Sequence, residues 1–176
     1  MRWWLALSRG IDGLNERVGA AVSWLSVAML LLGALNAVLR YLGRFAGASW
    51  SSNAYLEAQW YLFSVLFLLG AGWTLRHDAH VRVDVLYGQL SARRKAWVDL
   101  IGTAVFLLPF CVFGLLTSWP AVRASWEVWE GSPDPGGLPR YPLKTLILVC
   151  FVLLFLQGVS ELIKRAALLS GAVEEA

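Results

Sequence analysis

Charge is scarce in this sequence: 15% of its 176 residues are Asp, Glu, Lys or Arg, against about 25% in ordinary soluble domains. Histidine and cysteine are scarcer still, with two of each. Both histidines, His77 and His80, fall in one segment between apolar runs, which excludes a haem bridged by two intramembrane imidazoles. Cys111 and Cys150 lie inside apolar runs, where a free thiol serves as a small hydrophobe. The chain carries no Walker loop, dinucleotide glycine motif, nucleophile elbow or CxxC pair. An internal repeat is also missing, which removes the inverted-repeat signature of a self-sufficient secondary transporter. The formal charge of +3 does not point to nucleic acid, because no Lys/Arg stripe interleaves with exposed aromatics. The basic residues gather at the ends of apolar runs instead, so a membrane surface is the better partner.

Apolar residues are abundant, at 58% of the chain. They fall into four runs near the ~20 residues that cross ~30 Å of hydrocarbon as a helix. The expected fold is therefore all-α, an integral membrane bundle of four transmembrane helices in one domain over 1–176. The spans are placed at 18–39 (VGAAVSWLSVAMLLLGALNAVL), 54–75, 96–119 and 145–163. Ahead of the first, Arg9 and Asp12 cut short the apolar core of any signal peptide. Trp3 and Trp4 followed by Ile11, Leu14 and Val18 at helical spacing favour an N-terminal interfacial amphipathic helix. Pro109 sits mid-span in the third run, where a kink is expected.

Orientation follows from Lys and Arg. With the N-terminus inside, the inner segments hold Arg2, Arg9, Arg17, Arg76, Arg82, Arg93, Arg94, Lys95, Lys164 and Arg165; the outer ones hold Arg40, Arg44, Arg123, Arg140 and Lys144. That excess predicts both termini in the cytoplasm, a cytoplasmic loop at 77–95 and a periplasmic loop at 120–144. Tryptophan agrees, since indole prefers the headgroup level: Trp73 and Trp97 fall at the inner boundary and Trp119 at the outer one. Arg93 and Arg94 are expected to join these as interface anchors, with anionic lipid offsetting the dipole of a helix that starts after Ser91.

The stretch HDAHVRVDV, residues 77–85, concentrates imidazole, carboxylate and guanidinium. His and Asp two residues apart can converge on a metal ion, yet Arg82 between them adds repulsion to any divalent cation. Acid/base catalysis lacks a pocket or a nucleophile. A polar lock, in which His80, Arg82 and Asp84 hold this loop against the bundle or a partner, is the expected role. Glu57 and Gln59 open the second span; the sequence leaves open whether they snorkel to the interface or touch another membrane subunit. Asp99 and Glu161 are expected to snorkel near the inner boundary. The loop EVWEGSPDPGGLPRYPLK, residues 127–144, reads as an ordered cap or a plain linker. Gly70 and Gly72 offer a small-residue face for a neighbouring helix.

Four elements together carry a family resemblance: E-A-Q-W-Y-L-F at 57–63, L-L-G-A-G at 68–72, H-V-R-V-D at 80–84 and G-G-L-P-R-Y-P-L-K at 136–144. With the four-span layout, the chain resembles the small, DctQ-like permease subunit of tripartite ATP-independent periplasmic (TRAP) transporters. The resemblance implies a bacterial inner-membrane assembly with two partners: a large permease subunit that holds substrate and sodium sites and moves as an elevator, and a periplasmic substrate-binding protein. The cargo it implies is an organic acid taken up with sodium. The small subunit would then brace the immobile scaffold, without catalysis and without a cofactor or metal of its own. A membrane anchor subunit of a redox enzyme complex is the alternative from another class, and a standalone channel is disfavoured because no span carries a continuous polar stripe.

Overall fold

The computed structural model describes residues 2–47, 50–80 and 87–171. Four helices long and apolar enough to cross a membrane account for most of them: α1 (Arg2–Ala46), α2 (Asn53–Arg76), α3 (Ala92–Glu127) and α4 (Tyr141–Leu169). Each expected span lies inside one of these helices, and each helix overruns its span. Hydropathy marks where lipid begins, whereas a helix continues as long as its backbone bonds and side-chain spacing allow.

The overrun is largest in α1. Its 45 residues extend about 68 Å at 1.5 Å per residue, twice the hydrocarbon thickness. The expected interfacial helix is thus not a separate element but the first turns of α1, and Ser8, Ile11 and Asn15 on those turns are buried. No proline interrupts the segment, and the charges that end its apolar run are tolerated by helix. The helix stops at Gly47, whose φ of +65° suits a residue without Cβ. Ser52 caps α2, its hydroxyl accepting from the Ala54 N–H at 3.2 Å.

In α3 the perturbation expected at Pro109 takes the form of a π-helical turn, Thr103–Leu107, immediately before it. The Leu108 N–H donates to the Thr103 carbonyl, five residues back. Proline has no N–H and its ring crowds the carbonyl four residues earlier, so inserting a wider turn relieves the clash without breaking the helix. The widened turn lies against Gly158 of α4, where an added Cβ would stand 2.9 Å from a Leu108 methyl.

Packing places α4 at the centre, against α1, α2 and α3, while α1 runs along α2. Two notches let α1 and α2 approach. A Cβ on Gly19 would fall 2.3 Å from the Trp73 ring, and one on Gly72 would fall 2.2 Å from Asn15 Oδ1. The small-residue face read at Gly70 and Gly72 is therefore used within the chain at Gly72, whereas Gly70 has open space beside it. Cys111 and Cys150 are free thiols buried in α3 and α4.

Candidate functional site

The exterior is apolar and the buried positions mix small apolar with polar side chains, which suits a bundle in lipid. Trp24, Leu30, Leu31, Val38 and Phe45 of α1 and Phe106, Phe110, Phe113 and Leu116 of α3 are exposed. Ser8, Asn15, Asn36, Glu57, Ser125, Gln157 and Ser160 are buried. Most of these buried polar groups form two clasps, one at each end of the bundle.

The first clasp lies at the end that carries the start of α1 and the finish of α4. Gln157 is its hub. Its carbonyl accepts from Asn15 Nδ2 at 2.9 Å, and its amide donates to Asp12 Oδ1 at 2.9 Å and Glu161 Oε1 at 3.2 Å. Ser160 donates to Asp12 Oδ1 at 2.7 Å, and its hydroxyl lies 2.7 Å from that of Ser8. Lys164 closes the set by pairing with Asp12 at 3.2 Å and with Glu161. Every bond here joins α1 to α4 or braces a group that does. In lipid a helix seam gains no hydrophobic driving force, so such bonds and close packing hold it.

Around this clasp stand ion pairs that tie in the other helices. Arg76 of α2 pairs with Glu16 of α1 and donates to the Asp12 carbonyl at 3.0 Å. His77 stacks on Trp73, ring centroids 4.1 Å apart, and lies 3.5 Å from Glu16. Arg165 of α4 reaches Asp99 of α3 at 3.3 Å and Asp78 at 3.5 Å, and Tyr87 donates to Asp99 at 2.8 Å. Asp99 and Glu161 therefore do not snorkel as expected; their side chains are 15% and 14% exposed and turned inward. A nearby cation competes with water for each carboxylate: Arg165 of the neighbouring helix for Asp99, and Lys164 three residues along the same helix for Glu161.

The second clasp lies at the opposite end and is built on Glu57. This carboxylate, 3% exposed, accepts from the Ser132 hydroxyl and from the Leu138 N–H. Gly137 lies so close that a Cβ there would meet Glu57 Oε2 at 2.7 Å and Ser132 Cβ at 2.4 Å. Asn53 donates to the Pro135 carbonyl at 3.1 Å, and Tyr61 reaches the Leu138 carbonyl at 3.1 Å. The loop after α3 is consequently an ordered cap on α2. Its far side is pinned by Glu130, which takes bonds from Lys144 and from Ser125 at 2.6 Å. These bonds, from Lys144 first and Ser125 second, hold the Glu130 carboxyl below its ordinary 4.5. Trp126, Trp129 and Tyr141 cluster edge to face beside it, with Trp129 at a left-handed φ of 49°.

The residues singled out from sequence fall as follows. Glu57 is the cap anchor, and Gln59 lies against Gly33 of α1, where a Cβ would meet its Nε2 at 2.9 Å. His80 is exposed at the rim of a cleft of about 470 Å³ that Gly19, Ser23, Gly70 and Trp73 also line. Arg82 and Asp84 lie outside the described residues. Trp73 fills the notch at Gly19, Trp97 and Trp119 are half exposed or more, and Arg93 and Arg94 are exposed on the first turn of α3. Gln157, Asn15 and Asp12 were missed. A single Gln in a run such as LLFLQGVSEL was the available signal, because a neutral amide in hydrocarbon needs a partner. Among the described residues no three His, Cys, Asp or Glu side chains converge as a metal site would require.

The chain is a four-helix membrane bundle with an end cap built on the 57–63 and 136–144 elements, and comparison with known families settles its kinship. Residues 29–168 match the DctQ component of tripartite ATP-independent periplasmic transporters. The chain belongs to the DctQ family. The match covers the second part of α1, from residue 29 on, and all of α2, α3 and the cap, and ends one residue short of the end of α4. It makes the chain the small membrane subunit of a TRAP transporter, a multi-pass component of an assembly that also has a large permease and a substrate-binding protein. No curated protein and no solved structure matches the chain.

Proposed function

We propose that this DctQ subunit is a static brace: it widens and anchors the fixed scaffold of the large permease subunit, against which the substrate-carrying part moves as an elevator. The observation that carries this reading is the pair of clasps. Polar side chains that could line a solute path are instead spent on bonds between helices and cap, and what faces outward along α1 and α3 is apolar. An elevator deforms the bilayer as it slides, and a wide, well-anchored frame resists that load. The assembly sits in a bacterial inner membrane with both termini in the cytoplasm, and the cap faces the periplasm, where the binding protein delivers an organic acid taken up with sodium. In this role His80, Arg82 and Asp84, with Glu57 and Gln59, stabilise the subunit or its seam with the large one, and Trp97, Trp119, Arg93 and Arg94 hold its depth. Trp73 joins them from within the α1–α2 seam.

Reconstitution tests the reading. Vesicles holding both membrane subunits, supplied with the binding protein, are expected to accumulate substrate, and vesicles holding this chain alone to accumulate none. Solute flux through the chain alone would overturn the brace. Alanine at Arg82 and Asp84 is expected to lower copurification of the large subunit; unchanged copurification and uptake would remove those residues from the seam.

A further inference from the structure

A groove of about 560 Å³ opens between the first turns of α1 and the last turns of α4, lined by Arg2, Leu5, Ser8, Arg9, Asp12 and Lys164. Arg2, Leu5 and Arg9 recur at helical spacing and so share one face of α1. Three cations therefore border one groove. Its carboxylates are already engaged: Asp12 accepts from Ser160, Gln157 and Lys164, and Glu161 behind it accepts from Gln157 and Lys164. Arg2 and Arg9 pair with no carboxylate among the described residues, and the one bond given to Arg9 is the intrahelical donation from Nε to the Leu5 carbonyl at 3.4 Å. Two guanidinium groups thus keep their terminal N–H forks for an acceptor outside the chain. The same turns expose Trp3 and Trp4, at 76% and 53%, and indole favours the headgroup level.

We infer that this groove is a site for an anionic phospholipid, whose phosphate is held by Arg2 and Arg9. Charge complementarity chooses the occupant. Guanidinium matches phosphate oxygens in paired bonds, and a headgroup with no ammonium of its own leaves net negative charge to meet the surplus cation. The position on the helix chooses the source. α1 runs without a break from Arg9 into the apolar stretch at 18–39, so a lipid whose chains lie along that stretch brings its phosphate to these turns, aided by arginine stems that reach toward the interface. Occupancy would bridge the outer faces of α1 and α4 on the side where the Asp12–Gln157 clasp already joins them.

The test is native mass spectrometry of the full chain, delipidated in detergent and titrated with phosphatidylglycerol, with phosphatidylcholine and with soluble glycerol phosphate. Phosphatidylglycerol is expected to be retained roughly 10- to 30-fold better than phosphatidylcholine, and the pair Arg2→Gln, Arg9→Gln to remove that preference. Both arginines are exposed, so the double variant should keep the parent melting temperature. The pair Arg40→Gln, Arg44→Gln, exposed at the far end of α1 outside the groove, is expected to leave the preference intact. Equal loss in the two double variants would show diffuse attraction and overturn the site. Equal retention of the two lipids, or displacement of lipid by glycerol phosphate at matching concentration, would overturn it as well.

Discussion

The two ends of this bundle solve the same problem with different chemistry. Where α1 begins and α4 finishes, six or more side chains on two helices bond one another around Gln157, so one continuous seam is made of many modest bonds. At the other end a single carboxylate, Glu57, gathers a loop hydroxyl and a loop N–H, and the partners come from residues with no helix of their own. The first arrangement joins rigid rods and should act on the whole fold. The second fastens a loop to a rod and should act locally. Stability in a membrane bundle is thereby divided between a structural seam and a fitted lid.

The sharpest way to break the first end is Gly72→Val. The added Cβ would stand 2.2 Å from Asn15 Oδ1, and the Asn15 amide cannot retreat while it bonds Gln157 at 2.9 Å. A loss of about 3 kcal/mol is expected in reversible unfolding in mixed micelles, through strain and the broken clasp together. Gln157→Leu should follow at about 2 kcal/mol by the same measurement, since it strips partners from Asn15 and Asp12 while keeping the volume filled. If Gln157→Leu unfolded at the parent denaturant concentration, the seam would rest on packing alone.

At the second end, Glu57→Gln should leave the unfolding midpoint nearly unchanged and raise amide exchange across 131–139 by roughly an order of magnitude. A fall in the global midpoint as large as that of Gln157→Leu would erase the distinction between the ends. Acid provides the smallest effect. The Glu130 carboxyl is held below 4.5 chiefly by its bond from Lys144, so its contribution is complete above that value and is lost as pH falls through the lower folded value. Exchange within the cap is expected to quicken in that acid window in the parent and to show a weaker acid step in Glu130→Gln.

Sequence carried the spans because twenty apolar residues in lipid leave the backbone no other satisfied form. It carried the family because the 57–63 and 136–144 elements are local strings. Their meeting was not legible: Glu57 and Leu138 are 81 positions apart, and no pattern along the chain announces that the carboxylate of one accepts the N–H of the other. The unbroken run of α1 from the N-terminal helix into the first span was not legible for a related reason. Arg9, Asp12, Glu16 and Arg17 end the apolar run, which signals the edge of the lipid, but they do not end the helix. Asp99 looked like a residue seeking water because its cation, Arg165, lies on α4 and comes near only when helices pack, whereas Glu161 has Lys164 three residues on and is drawn inward by Gln157 and by the Lys164 bond to Asp12 of α1.

The central claim is that the two clasps make this subunit one rigid frame while its partner moves. The most direct measurement is the distance between spin labels at Arg44 on α1 and Ser118 on α3, in the assembled transporter, with and without sodium and substrate. The account predicts the same distance distribution in every state, within about 2 Å. A shift near one helical turn, about 5.4 Å, would contradict it by showing that this bundle itself changes register during transport.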